Sequence, residues 1–211
     1  AGCTVSYNPN QTCCGQPAYN AGYFDEAKTV CSKFIKDFSE DAIIVAPSAS
    51  CVGFVKNAYS KLFDNSSMHH DVQDLSKRIY EFSSFLVDVL GKDDFNASLT
   101  GKATYHDSCA GLRECKIKTQ PRKLLSKVKG LTLTEMTDNE TCCGFGGTFA
   151  VKFEQISAGM ADQKIENALA TGADFIISTD HSCLMHLQGY ITQKGYSLKT
   201  MHIADVLASG W

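Results

Sequence analysis

Two hundred and eleven residues, 44% hydrophobic and 20% charged with only four prolines, exclude a disordered, collagenous or fibrous chain. That length buries a core without covalent staples, as one moderately large domain or two small halves. A formal charge of -3 argues against a general nucleic-acid-binding surface, because phosphate affinity rests on a net positive stripe. No run approaches the roughly eighteen apolar residues of a membrane span, and the chain opens Ala1-Gly2-Cys3 with neither a basic nor an apolar leader segment. The reading is a cytoplasmic protein without a membrane span or signal peptide.

Residues 1–7 look like the lead into a strand, with Cys3 packed in it. Thr12-Cys13-Cys14-Gly15 then precedes an amphipathic helix over 23–38, whose Phe24, Ala27, Cys31, Phe34, Ile35 and Phe38 share one face. Residues 42–46, Ala-Ile-Ile-Val-Ala, read as a buried strand that ends at Ser50-Cys51. A helix over 48–63 comes next, then a longer one over 71–90 with Phe82, Phe85, Leu86, Val89 and Leu90 on one face and Gly91 as its C-cap. Residues 102–106 form a strand leading to Asp107-Ser108-Cys109, and 120–129 and 131–135 a short helix and a short strand. Thr141-Cys142-Cys143-Gly144 opens a second round. A helix over 149–170, apolar at Ile156, Met160, Ile165 and Leu169, leads to a strand over 174–178 ending at Ser182-Cys183. A helix over 181–194 and a last strand and helix within 197–209 complete the order.

The order of parts repeats. Cys51 follows Cys14 by 37 residues and Cys183 follows Cys143 by 40. Alternating strands and helices predict an α/β fold of two tandem Rossmann-like βαβ halves with parallel sheets and a pseudo-two-fold repeat, divided 1–95 and 96–211. Ligands in such folds sit beyond the carboxyl ends of the strands, where Cys51, Cys109 and Cys183 fall. Cys109 precedes Cys142 by 33 residues, and the same interval before Cys13 lands about twenty residues ahead of Ala1. On that count the first half is N-terminally truncated, or never had the matching cysteine.

Adjacent cysteines bridge each other only through a strained ring, so vicinal pairs seldom act as structural disulfides. Thiolates gathered at strand ends repel, and a soft cation is the usual remedy. Cys109, Cys142, Cys143 and Cys183 therefore look like ligands of an iron-sulfur cluster or zinc. Iron-sulfur ligation is favoured, since zinc normally takes its sulfurs from C-x2-C knuckles. Gly144, Gly146 and Gly147 would let backbone approach a bulky inorganic core. The spacing matches neither a dinucleotide fingerprint nor a P-loop.

The Cys-Cys-Gly repeat, with Cys-Cys-Gly-Gln-Pro-Ala-Tyr-Asn at 13–20, His-Asp-Ser-Cys at 106–109, Cys-Cys-Gly-Phe-Gly-Gly-Thr-Phe at 142–149 and Ser-Cys-Leu-Met at 182–185, resembles the cysteine-rich (CCG) iron-sulfur oxidoreductases. The type is that of lactate utilisation protein A, related to heterodisulfide reductase and to the iron-sulfur subunit of glycolate oxidase. The resemblance implies an iron-sulfur electron-transfer component of an L-lactate or glycolate oxidation system, a subunit more than a stand-alone catalyst. It implies a [4Fe-4S]-type cluster, cubane or non-cubane, which aerobic preparation would lose, and a companion iron-sulfur or ferredoxin-like subunit. Matched to its pattern, Cys109, Cys142, Cys143 and Cys183 form one ligand set and Cys13, Cys14 and Cys51 an incomplete second one. No second cysteine stands beside Cys183 or Cys51; His181 lies two residues before Cys183 and is a candidate fifth ligand or hydrogen-bond donor. An N-terminal strand and helix missing from the first half would bare a sheet edge and invite a homodimer.

Other readings stay open. The thiolates could hold zinc in a structural or interaction subunit, or the vicinal pairs could run dithiol-disulfide chemistry without metal. His106 is balanced between a donor to the site and an ordinary strand-end histidine. Cys31 and Cys115 read as packing, and the seven basic residues between Arg113 and Lys129 as a solvated face.

Overall fold

A computed structural model describes residues 1–40 and 42–210. Trp211, which closes the second predicted half, lies outside them. In chain order the elements are α1 (Gln16–Asn20), α2 (Phe24–Asp37), β1 (Ile44–Ala46), α3 (Ala49–Leu62), α4 (His69–Arg78) and β2 (Ile79–Glu81). A single turn, α5 (Phe82–Ser84), runs into a π-helical turn over Phe85–Val89. The chain continues with β3 (Ser98–Tyr105), α6 (Cys109–Arg113), α7 (Thr119–Leu125), β4 (Lys129–Leu133), α8 (Thr148–Lys152) and α9 (Glu154–Leu169). It closes with β5 (Phe175–Ser178), α10 (His181–Lys194), β6 (Lys199–His202) and α11 (Ile203–Leu207).

Every strand pair is parallel, in a two-stranded sheet β1-β2 and a four-stranded sheet ordered β4-β3-β5-β6. This is the α/β architecture that the alternating pattern predicts. The repeat is geometric as well as sequential. Ser48 and Asp180 are the N-caps of α3 and α10, both extended, and Cys51 and Cys183 are the third residues of those fourteen-residue helices. The cap alignment makes Ala46 equivalent to Ser178, and the strand registers pair Ala46 with Glu81 and Ser178 with His202. Glu81 and His202 in turn cap the helices after them: Glu81 accepts from Ser84 N–H, and His202 Nδ1 from Ala204 N–H. Two independent measures thus agree on one superposition.

β2 corrects the helix expected over 71–90. Ile79 and Glu81 are buried and pair with β1, so three extended residues interrupt the helical run. The apolar period that suggested one long helix belongs to its second part, where Phe85 and Leu86 enter a core with Leu124, Leu125, Ile177, Ile203 and Val206. Leu90 N–H bonds Phe85 O at 3.0 Å, widening that turn, and Gly91 adopts the left-handed φ of a C-cap. The helix expected over 149–170 also breaks, at Phe153 between α8 and α9. Its buried face is Ser157, Ala161, Lys164, Ile165 and Ala168, with Ile156 turned to solvent. Residues 1–8 form no strand, and Cys3 is exposed.

The two sheets meet at the carboxyl ends of β1 and β5. Ser48 and Asp180 form an antiparallel bridge, and Ala49 N–H bonds Thr179 O at 3.4 Å. The buried Asp180 carboxylate accepts from Ser182 N–H at 3.2 Å with one oxygen and from Ser50 N–H at 2.8 Å with the other. One side chain therefore caps the helix of Cys51 and the helix of Cys183. Replacing it with alanine strips both caps, and Asp180→Ala should lose about 2–4 kcal/mol of stability, read as a lower urea midpoint that Asp180→Asn, with one acceptor oxygen in place of two, restores only in part.

Glu81 is almost fully buried, with Oε1 unpartnered, and burial raises its carboxyl above the ordinary value despite hydrogen bonds from Ser83 and Ser84. The folded chain thus holds a proton that the unfolded chain releases at lower pH. The associated stability is present below the ordinary carboxylate value and is lost as pH climbs through the raised one. Glu81→Gln should grow more stable relative to the native chain between about pH 4 and pH 8, measured by denaturant unfolding across that range.

Candidate metal and redox site

Each Cys-Cys-Gly loop turns through its glycine. Gly15 has φ 93° and Gly144 φ 95°, and the amide of each points back at the first sulfur of its pair, Gly15 N–H to Cys13 Sγ and Gly144 N–H to Cys142 Sγ, both at 3.4 Å. Both glycines also press on the next long helix. A Cβ on Gly15 would lie 2.8 Å from Cys31 Sγ and 3.2 Å from Ala27 O; one on Gly144 would lie 2.6 Å from Ser157 O and 3.0 Å from Met160 Cβ. The loop carbonyls are pinned as well. Tyr59 donates to Cys14 O at 2.7 Å and Cys31 to the same oxygen at 3.4 Å, while Ser157 donates to Gly144 O at 2.8 Å. Buried Cys31 is thus a packing residue, as its place on the apolar face predicts.

In the second half the four expected sulfurs meet. Cys109 neighbours Cys142, Cys142 neighbours Cys143, and Cys143 neighbours Cys183, whose sulfur lies within 4.8 Å of its own. Hydrogen bonds from Cys109 and Cys143, together with Gly144 N–H, push the Cys142 thiol far down, and the same bonds with burial push Cys109 and Cys143 up. In the first half Cys14 bonds Cys51 in the same way, bringing Cys51 down to about 7 and raising Cys14, with Ser48 a further donor to Cys51. Cys13 is near enough to Cys14 to raise it by charge. Cys115 lies elsewhere, its S–H directed at Ala49 O at 3.4 Å. All ten cysteines are unbridged.

The loop carrying Cys109 is strapped from behind. Arg122 holds both oxygens of buried Asp107, at 2.9 and 2.7 Å, both oxygens of Glu135, at 2.6 and 2.9 Å, and lies 4.9 Å from the Tyr105 ring centre. Ser108 caps α6 by accepting from Gly111 N–H at 3.2 Å, which sets Cys109 at the first position of that helix. Within the basic run, Lys118 pairs with Glu140 and Lys123 with Asp93, so three of its seven members, counting Arg122, are committed to neighbours.

Two side chains join the site that the cysteine spacing did not place. Lys164, only 2% exposed, donates to Asp138 O and faces Cys143 and Cys142; burial lowers its pKa against the pull of those sulfurs. A lysine on the buried face of α9, in step with Ser157, Ala161 and Ala168, was the signal available. His106 is completely buried, and burial with Lys164 nearby drives its imidazole down to about 3. One ligand atom each of His106, Cys143 and Cys183 lies within 4.8 Å of the other two. His181 sits exposed at the start of α10, lining a groove with Thr200, His202 and Asp205.

The family model of the cysteine-rich domain, CCG, matches residues 1–56 and 103–188, one segment on each repeat. The chain belongs to this family. Among its relatives, lactate utilization protein A 1 of Bacillus mycoides (strain KBAB4) is 46% identical over 208 residues, spanning 98% of this chain and 84% of the relative. Lactate utilization protein A 2 of Bacillus cereus (strain 03BB102) is 43% identical over 210 residues, or 99% and 87% of the two chains. The first matched segment stops just past Cys51 and the second just past Cys183, so the family model covers the cysteine loops and leaves 57–102 aside. Among the described residues no helix is long and apolar enough to cross a membrane.

The close approach of Gly144 sets a test. Gly144→Ala would place a methyl against backbone at a left-handed φ and should cost at least about 1–3 kcal/mol. Gly189→Ala, on a helix with nothing within 4 Å of the new methyl, should instead gain about 0.5–1 kcal/mol. Urea midpoints of the two variants decide it.

Proposed function

We propose that this chain is an iron-sulfur electron-transfer component of a lactate or glycolate oxidation system, with Cys109, Cys142, Cys143 and Cys183 holding one [4Fe-4S]-type cluster. The observation that carries the reading is the unbroken contact among those four sulfurs at the rim of a parallel sheet. When bound, such a cluster passes single electrons between a donor and an acceptor. The chain's own residues prepare the place. The glycine turn aims two adjacent thiols the same way, and helix N-termini at Cys109 and Cys183 favour negative sulfur. Lys164 brings a buried amine beside them, and Arg122 with Asp107 fixes the approach of Cys109.

Cys13, Cys14 and Cys51 form a second, three-thiol site in the first half, which we assign to residues 1–95. Lactate is named by the relatives; glycolate, and a companion iron-sulfur or ferredoxin-like subunit as acceptor, follow from the family resemblance. Val151, Phe153 and Ile156, all exposed just after the second Cys-Cys-Gly loop, offer such a subunit an apolar rim close to the sulfurs. Zinc is the second reading, favoured by the compact His106, Cys143 and Cys183 triad, which suits a single ion.

Anaerobically prepared chain should be brown, with iron and acid-labile sulfide in matching amounts, and Cys142→Ser or Cys183→Ser should lose most of both. Stoichiometric zinc without sulfide would sink the redox reading and establish the structural one.

A further inference from the structure

His106 stands where β3 delivers the chain to the cysteine site, and its backbone is fixed on both sides. Its N–H bonds Ile177 O at 2.9 Å, and its carbonyl accepts from Ser178 Oγ at 2.9 Å. The ring is fully buried, and neither Nδ1 nor Nε2 makes a well-aligned hydrogen bond, the Asn139 backbone being the one hydrogen-bonding group near enough to act on it. Leaving a buried polar atom unpaired costs on the order of 1–3 kcal/mol, and folded proteins satisfy nearly all of them. His202, the other strand-end histidine, differs on this point, since its Nδ1 accepts a backbone N–H. Besides Lys164 and the Asn139 backbone, its neighbours are soft ligand atoms, the sulfurs of Cys143 and Cys183, within 4.8 Å of it and of each other.

We propose that His106 supplies a nitrogen ligand to the metal centre held by the second-half cysteines, entering it beside Cys143 and Cys183. The inference rests on the iron-sulfur reading above and sharpens it to a mixed nitrogen and sulfur ligand set. A neutral imidazole adds a ligand without adding a negative charge to a pocket already crowded with thiolates. Nitrogen ligation raises the potential of an iron-sulfur centre relative to sulfur alone. His181, exposed in the first turn of α10, takes no part.

The test uses the full chain labelled with 15N-histidine, reconstituted anaerobically with iron and sulfide and examined by pulsed EPR in its paramagnetic state. The expected result is a nitrogen coupling of the size given by directly bound imidazole. It should persist in His181→Ala and His186→Ala and vanish in His106→Gln while iron and sulfide remain. A paramagnetic cluster with no such coupling in the labelled native chain, or a coupling that survives His106→Gln, overturns the proposal and leaves the cluster reading standing. Should the chain hold no iron or sulfide at all, the cluster reading fails, and cobalt(II) titration decides His106 separately. There the native visible bands should shift, and affinity fall about tenfold or more, in His106→Gln. An unchanged cobalt spectrum and affinity overturn the proposal.

Discussion

Two thiols on neighbouring residues can face a common centre only if the backbone folds away behind them at once. Gly15 and Gly144 do this with nearly equal left-handed φ, and each lies so close to the following helix that a methyl group would strike backbone. The demand is local and exacting, and the rest of each half is arranged around it. The long helix after the loop serves as the wall, its first turns supplying Ala27 and Cys31 in one half and Ser157 and Met160 in the other. The strand and helix after that bring the third sulfur. The same two constraints, a turn without a side chain and a wall to lean on, recur with different residues, which explains how the repeat persists while the sequences between the motifs diverge.

Gathering sulfurs raises an electrostatic difficulty that the structure meets in three ways. Neighbouring thiols pull Cys142 down while burial pushes Cys109 and Cys143 up, so the sulfurs do not all favour ionising together. Cys109 and Cys183 stand in the first turns of their helices, where the positive end of the helix dipole favours negative sulfur. Lys164 brings an amine into the interior beside the sulfurs, whose negative charge favours its protonated form against the cost of burial. Asp107 does not add to the problem, because both of its oxygens are taken by Arg122, which lies against the Tyr105 ring. No lysine or arginine is among the groups acting on Cys14 and Cys51, and there Ser48 and Cys14 favour a Cys51 thiolate while the Gln16 backbone eases Cys14.

Much of this was legible in the residues, and what escaped did so for physical reasons. The vicinal pairs, their spacing to Cys51 and Cys183, and strand β5 could be read because buried parallel strands are continuous apolar runs and the cysteine motif is rare. β2 could not, since Ile79–Glu81 is three residues long and sits against a run whose apolar period is helical from Phe82 on. Its equivalence to β6 emerges only from register. The buried face of α9 was misplaced by one step, because Ile156 and Met160 outweighed Ser157 and Lys164 on hydrophobicity although the smaller and charged residues face the cysteine loop. Proximity in sequence pointed to His181 beside Cys183. Proximity in space belongs to His106, because β3 and β5 are adjacent strands and their ends open onto the same pocket.

Asp180 binds these two cysteine loops more tightly than their separate sheets would suggest. Its carboxylate grips the first turn of α3 with one oxygen and the first turn of α10 with the other, 130 residues apart in the chain. The two helices share one pivot, since a single side chain caps the opening turn of each. The carboxylate thereby holds the openings of both helices, and the cysteine each carries, in one frame.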